Sequence, residues 1–328
     1  AGIATAIGSL PHSDAHAAAA AVLRCLPEFP AAPQLPNRCA RENVISQWVH
    51  GIPGVESDSD GTLSIVGAVD EHEAVDTQFD RDVHGGLLAF LDATAALPRP
   101  PARVKAQVTG PLTLGVALLR AGVPAERAFP LGARAARSWA RAVESLFAER
   151  LPGSALVLFF DEPALVSWRD EDTAPVDREV ATDLLSTALA APGCTTGVHV
   201  CGAGDARLAM AAGPDVVHFA VDEFRFDDAI SLGRFIDGGG WVAWGAIPTH
   251  GPIGEHPSPL WKGLLDIWCE LTRRGLDPVR LRAQAVVAPA CGLAGHGVSQ
   301  AERAMLLARD LGNRVHDQAA ATKLAVGA

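Results

Sequence analysis

The sequence predicts a (β/α)8 TIM barrel, and three observations predict it. Short apolar or β-branched runs alternate with longer Ala-, Leu- and Arg-rich stretches, the pattern of βαβ units around a parallel sheet. Polar residues collect at the C-terminal ends of those runs, the rim where a barrel carries its chemistry. A chain of 328 residues that is 48% hydrophobic can bury one large core, so a single domain over 1–328 is expected. A doubly wound open sheet shares the alternation and is the competing architecture.

Strands are expected at 3–8, 63–68, 104–109, 155–161, 197–201, 215–221, 241–246 and 285–289, eight in all. Segments 14–26, 125–151, 177–191, 205–212, 260–274 and 299–311 carry apolar residues at spacings of three and four, which predicts helices packed outside the sheet. Ser13 or Asp14 would cap the first of these and Ser299 the last. Residues 28–62, rich in Pro, Asn, Gly and Asp, read as a long loop after the first strand that covers the rim.

The net charge of -11, without any Lys/Arg run, argues against a nucleic-acid or anionic-membrane partner, since both need a concentrated basic surface. No uninterrupted apolar stretch is long enough for a membrane span, and no basic region followed by an apolar one opens the chain, so a cytoplasmic protein is expected. Six cysteines over this length are too sparse for a disulfide scaffold and read as thiols or ligands.

In Gly197-Val198-His199-Val200-Cys201-Gly202, His199 and Cys201 stand two apart on an expected strand, so both leave one face and can grip one ion. Cys291, in Pro289-Ala290-Cys291-Gly292-Leu293, also lies just past a strand end. One imidazole and two thiolates form a donor set suited to Zn2+. Cys25, Cys194 and Cys269 sit on or beside helices and read as packing residues.

The series Ala6-Ile7-Gly8-Ser9-Leu10-Pro11, Val108-Thr109-Gly110-Pro111-Leu112-Thr113, Asp161-Glu162-Pro163-Ala164-Leu165, His199-Val200-Cys201 and Pro289-Ala290-Cys291-Gly292-Leu293 resembles the catalytic barrel of cobalamin-independent methionine synthase. It is similar most of all to short, single-barrel members of that superfamily, which also holds the uroporphyrinogen decarboxylase-like proteins. The resemblance implies a zinc site on His199, Cys201 and Cys291. It further implies contacts from Ile7, Gly8, Ser9 and Asp161 to the amino-acid part of homocysteine, and a proton-handling role for His250. Glu162 would add to the ammonium contact, and Thr109 would border the ligand.

Two departures stand out. The family's fourth zinc ligand is an acidic residue at the end of the sixth strand, where this chain has Ala220; Asp222, two residues on along the same face, is the expected substitute, with His218 as a second candidate. The chain also has no room for the second half that helps the full synthase bind folate, so the methyl donor is expected to be a corrinoid protein or a short folate. The expected activity is thiol S-methylation, with homocysteine as acceptor. The alternative is a zinc-dependent alkyltransferase or lyase acting on another thiol such as coenzyme M, although a sulfonate would call for a basic residue where Asp161 stands.

Overall fold

A computed structural model describes residues 1–70 and 72–326; of the expected extent 1–328, Glu71, Gly327 and Ala328 lie outside the described residues. Its strands are β1 (Ile3–Ala4), β2 (Val55–Ser57), β3 (Leu63–Ile65), β4 (Arg103–Thr109), β5 (Ala155–Asp161), β6 (Thr195–Val200), β7 (Val216–Ala220), β8 (Trp241–Ile247) and β9 (Ala285–Pro289). Seven of them form one curled sheet in the order β1-β9-β8-β7-β6-β5-β4, with every neighbouring pair parallel. Helices surround it, and among the described residues none is long and apolar enough to cross a membrane.

The fold corrects the expected second strand at 63–68. Leu63–Ile65 instead pairs antiparallel with Val55–Ser57 in a separate hairpin. In the gap between the two edges of the sheet lies the segment around Ala31 to Gln34, expected from its composition to be a structureless loop. Lys105 N donates to Pro30 O and Ala32 N to Lys105 O on the β4 side, while Gln34 N donates to Gly8 O and Leu10 N to Gln34 O on the β1 side. The pairing there is confined to isolated bridges, Ala31 with Lys105 and Ser9 with Gln34. Pro30, Pro33 and Pro36 explain both facts, because each removes a backbone donor and together they erase any period of two.

Local chemistry sets the helix boundaries. Asp14 is the cap of helix Ala15–Cys25, its Oδ1 accepting from Ala17 N at 2.7 Å. Helix Pro111–Arg120, which sequence periodicity does not predict, starts on Pro111 and buries almost every residue, so it shows no amphipathic stripe. It packs closely on helix Ala125–Arg150 at Gly132, where a Cβ would sit 2.7 Å from Gly115 N.

The sheet interior is layered. Phe29, Phe159, Val216, Ala243 and Val286 fill its lower part. Above them the fully buried Lys105 stands 4.8 Å over the Phe159 ring and donates to Ile7 O at 2.5 Å and Gln107 Oε1 at 3.2 Å. Burial lowers the pKa of Lys105 to about 8 while the nearby Asp161 opposes that shift. The uppermost row is Thr109, Asp161, His199 and His218, aligned in register across β4 to β7. Period-two geometry turns this row inward together with Lys105, Gln107 and Val216.

The covering segment between β1 and β4 is anchored rather than loose. Glu42 is buried, accepts from Gly86 N at 2.8 Å and pairs with Arg38, and Trp48, Phe79 and His84 pack against Trp139 of helix Ala125–Arg150. Burial, helped by His50, lowers the pKa of His84 from 6.5 to about 4, and His84 Nδ1 accepts from Asp80 N at 3.2 Å. The unfolded chain therefore binds a proton at a pH where the folded chain refuses it, so stability present above about 6.5 is lost as pH falls through about 4. Chemical denaturation of wild type and His84→Phe at pH 7 and pH 4 should show about 3 kcal/mol less acid loss in the variant, since each tenfold change in proton affinity is worth about 1.4 kcal/mol. Equal acid losses would refute a neutral buried His84.

Candidate metal centre

Three donors from two strand ends meet at the C-terminal rim of the sheet. His199 is the penultimate residue of β6, Cys201 follows its end, and Cys291 follows β9 by two residues. Cys201 Sγ and Cys291 Sγ lie 3.2 Å apart, Cys291 Sγ lies 3.9 Å from His199 Nε2, and all three donor atoms fall within 4.8 Å of one another. The chemistry of the set fits a soft divalent cation such as zinc: the donors are one imidazole and two thiols, with the imidazole buried and the thiols half-buried.

The two thiols share protons unequally. Contacts with Cys201 and His199 hold the Cys291 thiol well below its usual range, while the same Cys201–Cys291 contact and burial push Cys201 up. Cys291 is thus the readier thiolate. Gly292 brings the following turn against Ser9, where a Cβ would come within 2.9 Å of Ser9 Cβ, and Leu293 N donates to Ser9 O at 2.8 Å. The first turn of the chain and the Cys291 turn are therefore one wall.

Asp161 lies beside this cluster in register with His199. Burial raises its pKa, against the pull of His199 and Lys105, and its Oδ1 is buried without a hydrogen-bond partner in the protein. An orphaned carboxylate oxygen at the floor of a rim is equipped to receive a cationic group.

The remaining predicted residues separate from the cluster. Asp222 is exposed in the turn Val221–Glu223 and is not among the converging donors; the chain bends into that turn at Ala220, which ends the two-residue alternation that would have aimed Asp222 inward. His218 is not among those converging donors either. Its Nδ1 lies 2.7 Å from His199 Nδ1 and its Nε2 lies 3.0 Å from Pro289 O, so both ring nitrogens are engaged. Glu162 is fully buried and occupied: Oε1 accepts from Leu112 N, and Oε2 accepts from Thr113 N and Thr113 Oγ1, at 2.6 to 2.9 Å. It therefore caps helix Pro111–Arg120 rather than facing a ligand.

Thr109 Oγ1 donates to Val44 O of the covering segment. The Ile7 carbonyl is held by Lys105, Gly8 has φ +140° and leaves no room for a Cβ against Gln107, and Ser9 Oγ donates to Gln34 Oε1 at 2.9 Å. His250 is exposed on the loop after β8. Its neighbours Thr249 and Gly251 line, with Gly292 and His296, a cavity of about 340 Å3. A larger cavity of about 520 Å3 lies on the flank between the covering segment and helix Pro111–Arg120, and none of the metal donors lines it.

Sequence reasoning missed Lys105, Gln107, Gln34 and Gln47, the polar scaffold beneath the rim, in which Gln34 Nε2 donates to Gln47 Oε1 and Gln107 Nε2 to Ala32 O. Lys105 and Gln107 had a signal: in Val104-Lys105-Ala106-Gln107-Val108-Thr109 the polar residues alternate with apolar ones and so share the inner face.

No protein-family model matches the sequence, and no curated protein matches it. Among solved structures, the fold is similar to that of a candidate vitamin-B12-independent methionine synthase from Listeria monocytogenes, with a TM-score of 0.57 at 14% identity over 93% of this chain and 86% of that one. At that identity the likeness speaks for the fold.

Proposed function

We propose that this chain is a zinc-dependent thiol S-methyltransferase whose acceptor is homocysteine. The observation that carries the reading is the convergence of His199, Cys201 and Cys291 at the rim of a barrel-like sheet. The solved structure with a similar fold bears a name of the same activity, which supports the reading. The same reading takes the segment around Ala31 to Gln34 as the second strand of an eight-stranded barrel, and sets the protein in the cytoplasm, where both thiols stay reduced.

Zinc held by these donors would supply one thing, a lowered proton affinity for an incoming thiol whose free pKa is about 8.5. The chain's own residues do the rest. Asp161, with its unpartnered Oδ1, binds the substrate ammonium and orients the thiol toward the two cysteines. The Ile7-Gly8-Ser9 turn, fixed by Lys105, Gln107 and Gln34, bounds the amino-acid end. Ala220 and the exposed Asp222 leave three protein donors, so a substrate sulfur can enter without displacing a carboxylate. An acidic residue at the floor disfavours a sulfonate thiol. The methyl donor is a corrinoid protein or a folate, and assays with each discriminate them.

The test is metal analysis followed by zinc-edge absorption with and without homocysteine. About one zinc per chain, with an added sulfur neighbour when homocysteine is present, is the expected result; a zinc shell indifferent to homocysteine would discard it. Asp161→Asn should keep its zinc but raise KM for homocysteine by about tenfold to a hundredfold, the loss of one charge-assisted contact of about 1.5 to 3 kcal/mol. An unchanged KM would remove Asp161 from the substrate site.

A further inference from the structure

We infer that His218 is the hydrogen-bond acceptor that fixes His199 with its Nε2 lone pair toward the two thiols, so that β7 shapes the metal centre without donating to the metal. The inference rests on the reading of His199, Cys201 and Cys291 as metal donors. It concerns a residue that neither the donor cluster nor the similar fold assigns.

One chain of contacts fixes the protons. Pro289 O can only accept, so the contact at 3.0 Å puts a proton on His218 Nε2. His218 is buried, and its ring nitrogens bond to a carbonyl and an imidazole rather than to a carboxylate, so the ring is neutral and its Nδ1 carries a lone pair. His199 Nδ1, 2.7 Å away, must then carry the proton of that contact, which leaves His199 Nε2 as a lone pair. That is the nitrogen lying 3.9 Å from Cys291 Sγ. A metal-binding histidine needs its other ring nitrogen held in this way to fix both tautomer and ring plane.

The placement follows from the sheet. His199 and His218 are register partners on β6 and β7, so both rings turn inward at one level, 4.6 Å apart between centroids. Pro289 ends β9, two residues before Cys291, so the contact chain joins the strand ends that carry the donors. Ala220, two residues past His218, offers no donor atom, and the contribution of β7 is moved down one layer and made through a ring rather than a carboxylate.

Zinc affinity of the full chain, measured by competition with a chromophoric chelator, tests this with two variants. His218→Leu should weaken zinc binding by about 10- to 100-fold, the usual effect of losing an outer-shell partner. His218→Gln should stay near wild type, since its amide can donate to Pro289 O and accept from His199 Nδ1. Undiminished binding in a folded His218→Leu, beside a zinc-binding wild type, overturns the inference alone; a wild type that binds no zinc overturns the metal reading beneath it. Long-range 15N NMR of the metal-free wild type gives a second readout, independent of any variant's folding. Protons on His199 Nδ1 and His218 Nε2 are expected, and a proton on His199 Nε2 overturns the proposal.

Discussion

Cys291→Ser should leave the fold intact and abolish stoichiometric zinc. The substitution replaces one sulfur by a smaller oxygen in a half-buried turn, so the packing change is slight. Its chemical change is large. The Cys291 thiol is the more acidic of the pair, whereas a serine hydroxyl stays protonated at neutral pH and donates poorly to zinc. With three protein donors gathered among the described residues, losing one should weaken metal binding by more than about 100-fold, beyond the range of an outer-shell change. Methyl transfer should fall with it. Cys269→Ser, at an exposed thiol on the helix Pro257–Arg273, is the control that keeps its zinc. Elemental analysis after dialysis against a weak chelator reads both, and full zinc occupancy in Cys291→Ser would sink the proposed centre.

Glu162→Ala should cost on the order of 3 to 5 kcal/mol of stability, because it orphans three buried donors, Leu112 N, Thr113 N and Thr113 Oγ1, and opens a cavity beside them. Glu162→Gln keeps one accepting oxygen and should lose less. The gap between wild type and Gln should also depend on pH. Burial raises the acid from 4.5 to about 7, so the folded chain holds that proton more tightly than the unfolded one. The contribution of Glu162 is thus fully present below about 4.5 and declines as pH rises through about 7. Denaturant titrations at pH 5 and pH 8 would show the advantage over Gln shrinking. The folded Gln variant should retain zinc and an unchanged KM for homocysteine; a raised KM would return Glu162 to the substrate site.

Much of the frame was legible because strands buried on both faces write continuous apolar runs. The expected spans 155–161 and 285–289 coincide with β5 and β9, and apart from 63–68, which belongs to the separate hairpin, the others differ mainly at their ends. What escaped has physical causes. The residues near Ala31 bridge two strands through only a few bonds among prolines, so composition speaks for a loop. Helix Pro111–Arg120 is apolar on nearly every side, and periodicity cannot report a helix that has no wet face. The three donors could be read because strand ends place them, a matter of local geometry. Glu162 and Thr109 could not, since their partners Leu112, Thr113 and Val44 lie far along the chain and only the fold says which way each carboxylate or hydroxyl turns. Asp222 lies outside the cluster for a related reason, a turn beginning one residue earlier than strand alternation would have it.

The parallel pairing of β1 with β9, reinforced where Leu293 N meets Ser9 O, has a consequence for how the protein matures. Cys201 and the polypeptide around it are made before Cys291, and the wall that Ser9 shares with Gly292 needs two segments far apart in the chain at once. Contacts of such large sequence separation form slowly, since a long loop must close before they return any free energy. A nascent chain therefore carries Cys201 without its partner Cys291 while the next 90 residues are made, and the cluster is assembled only when β9 docks.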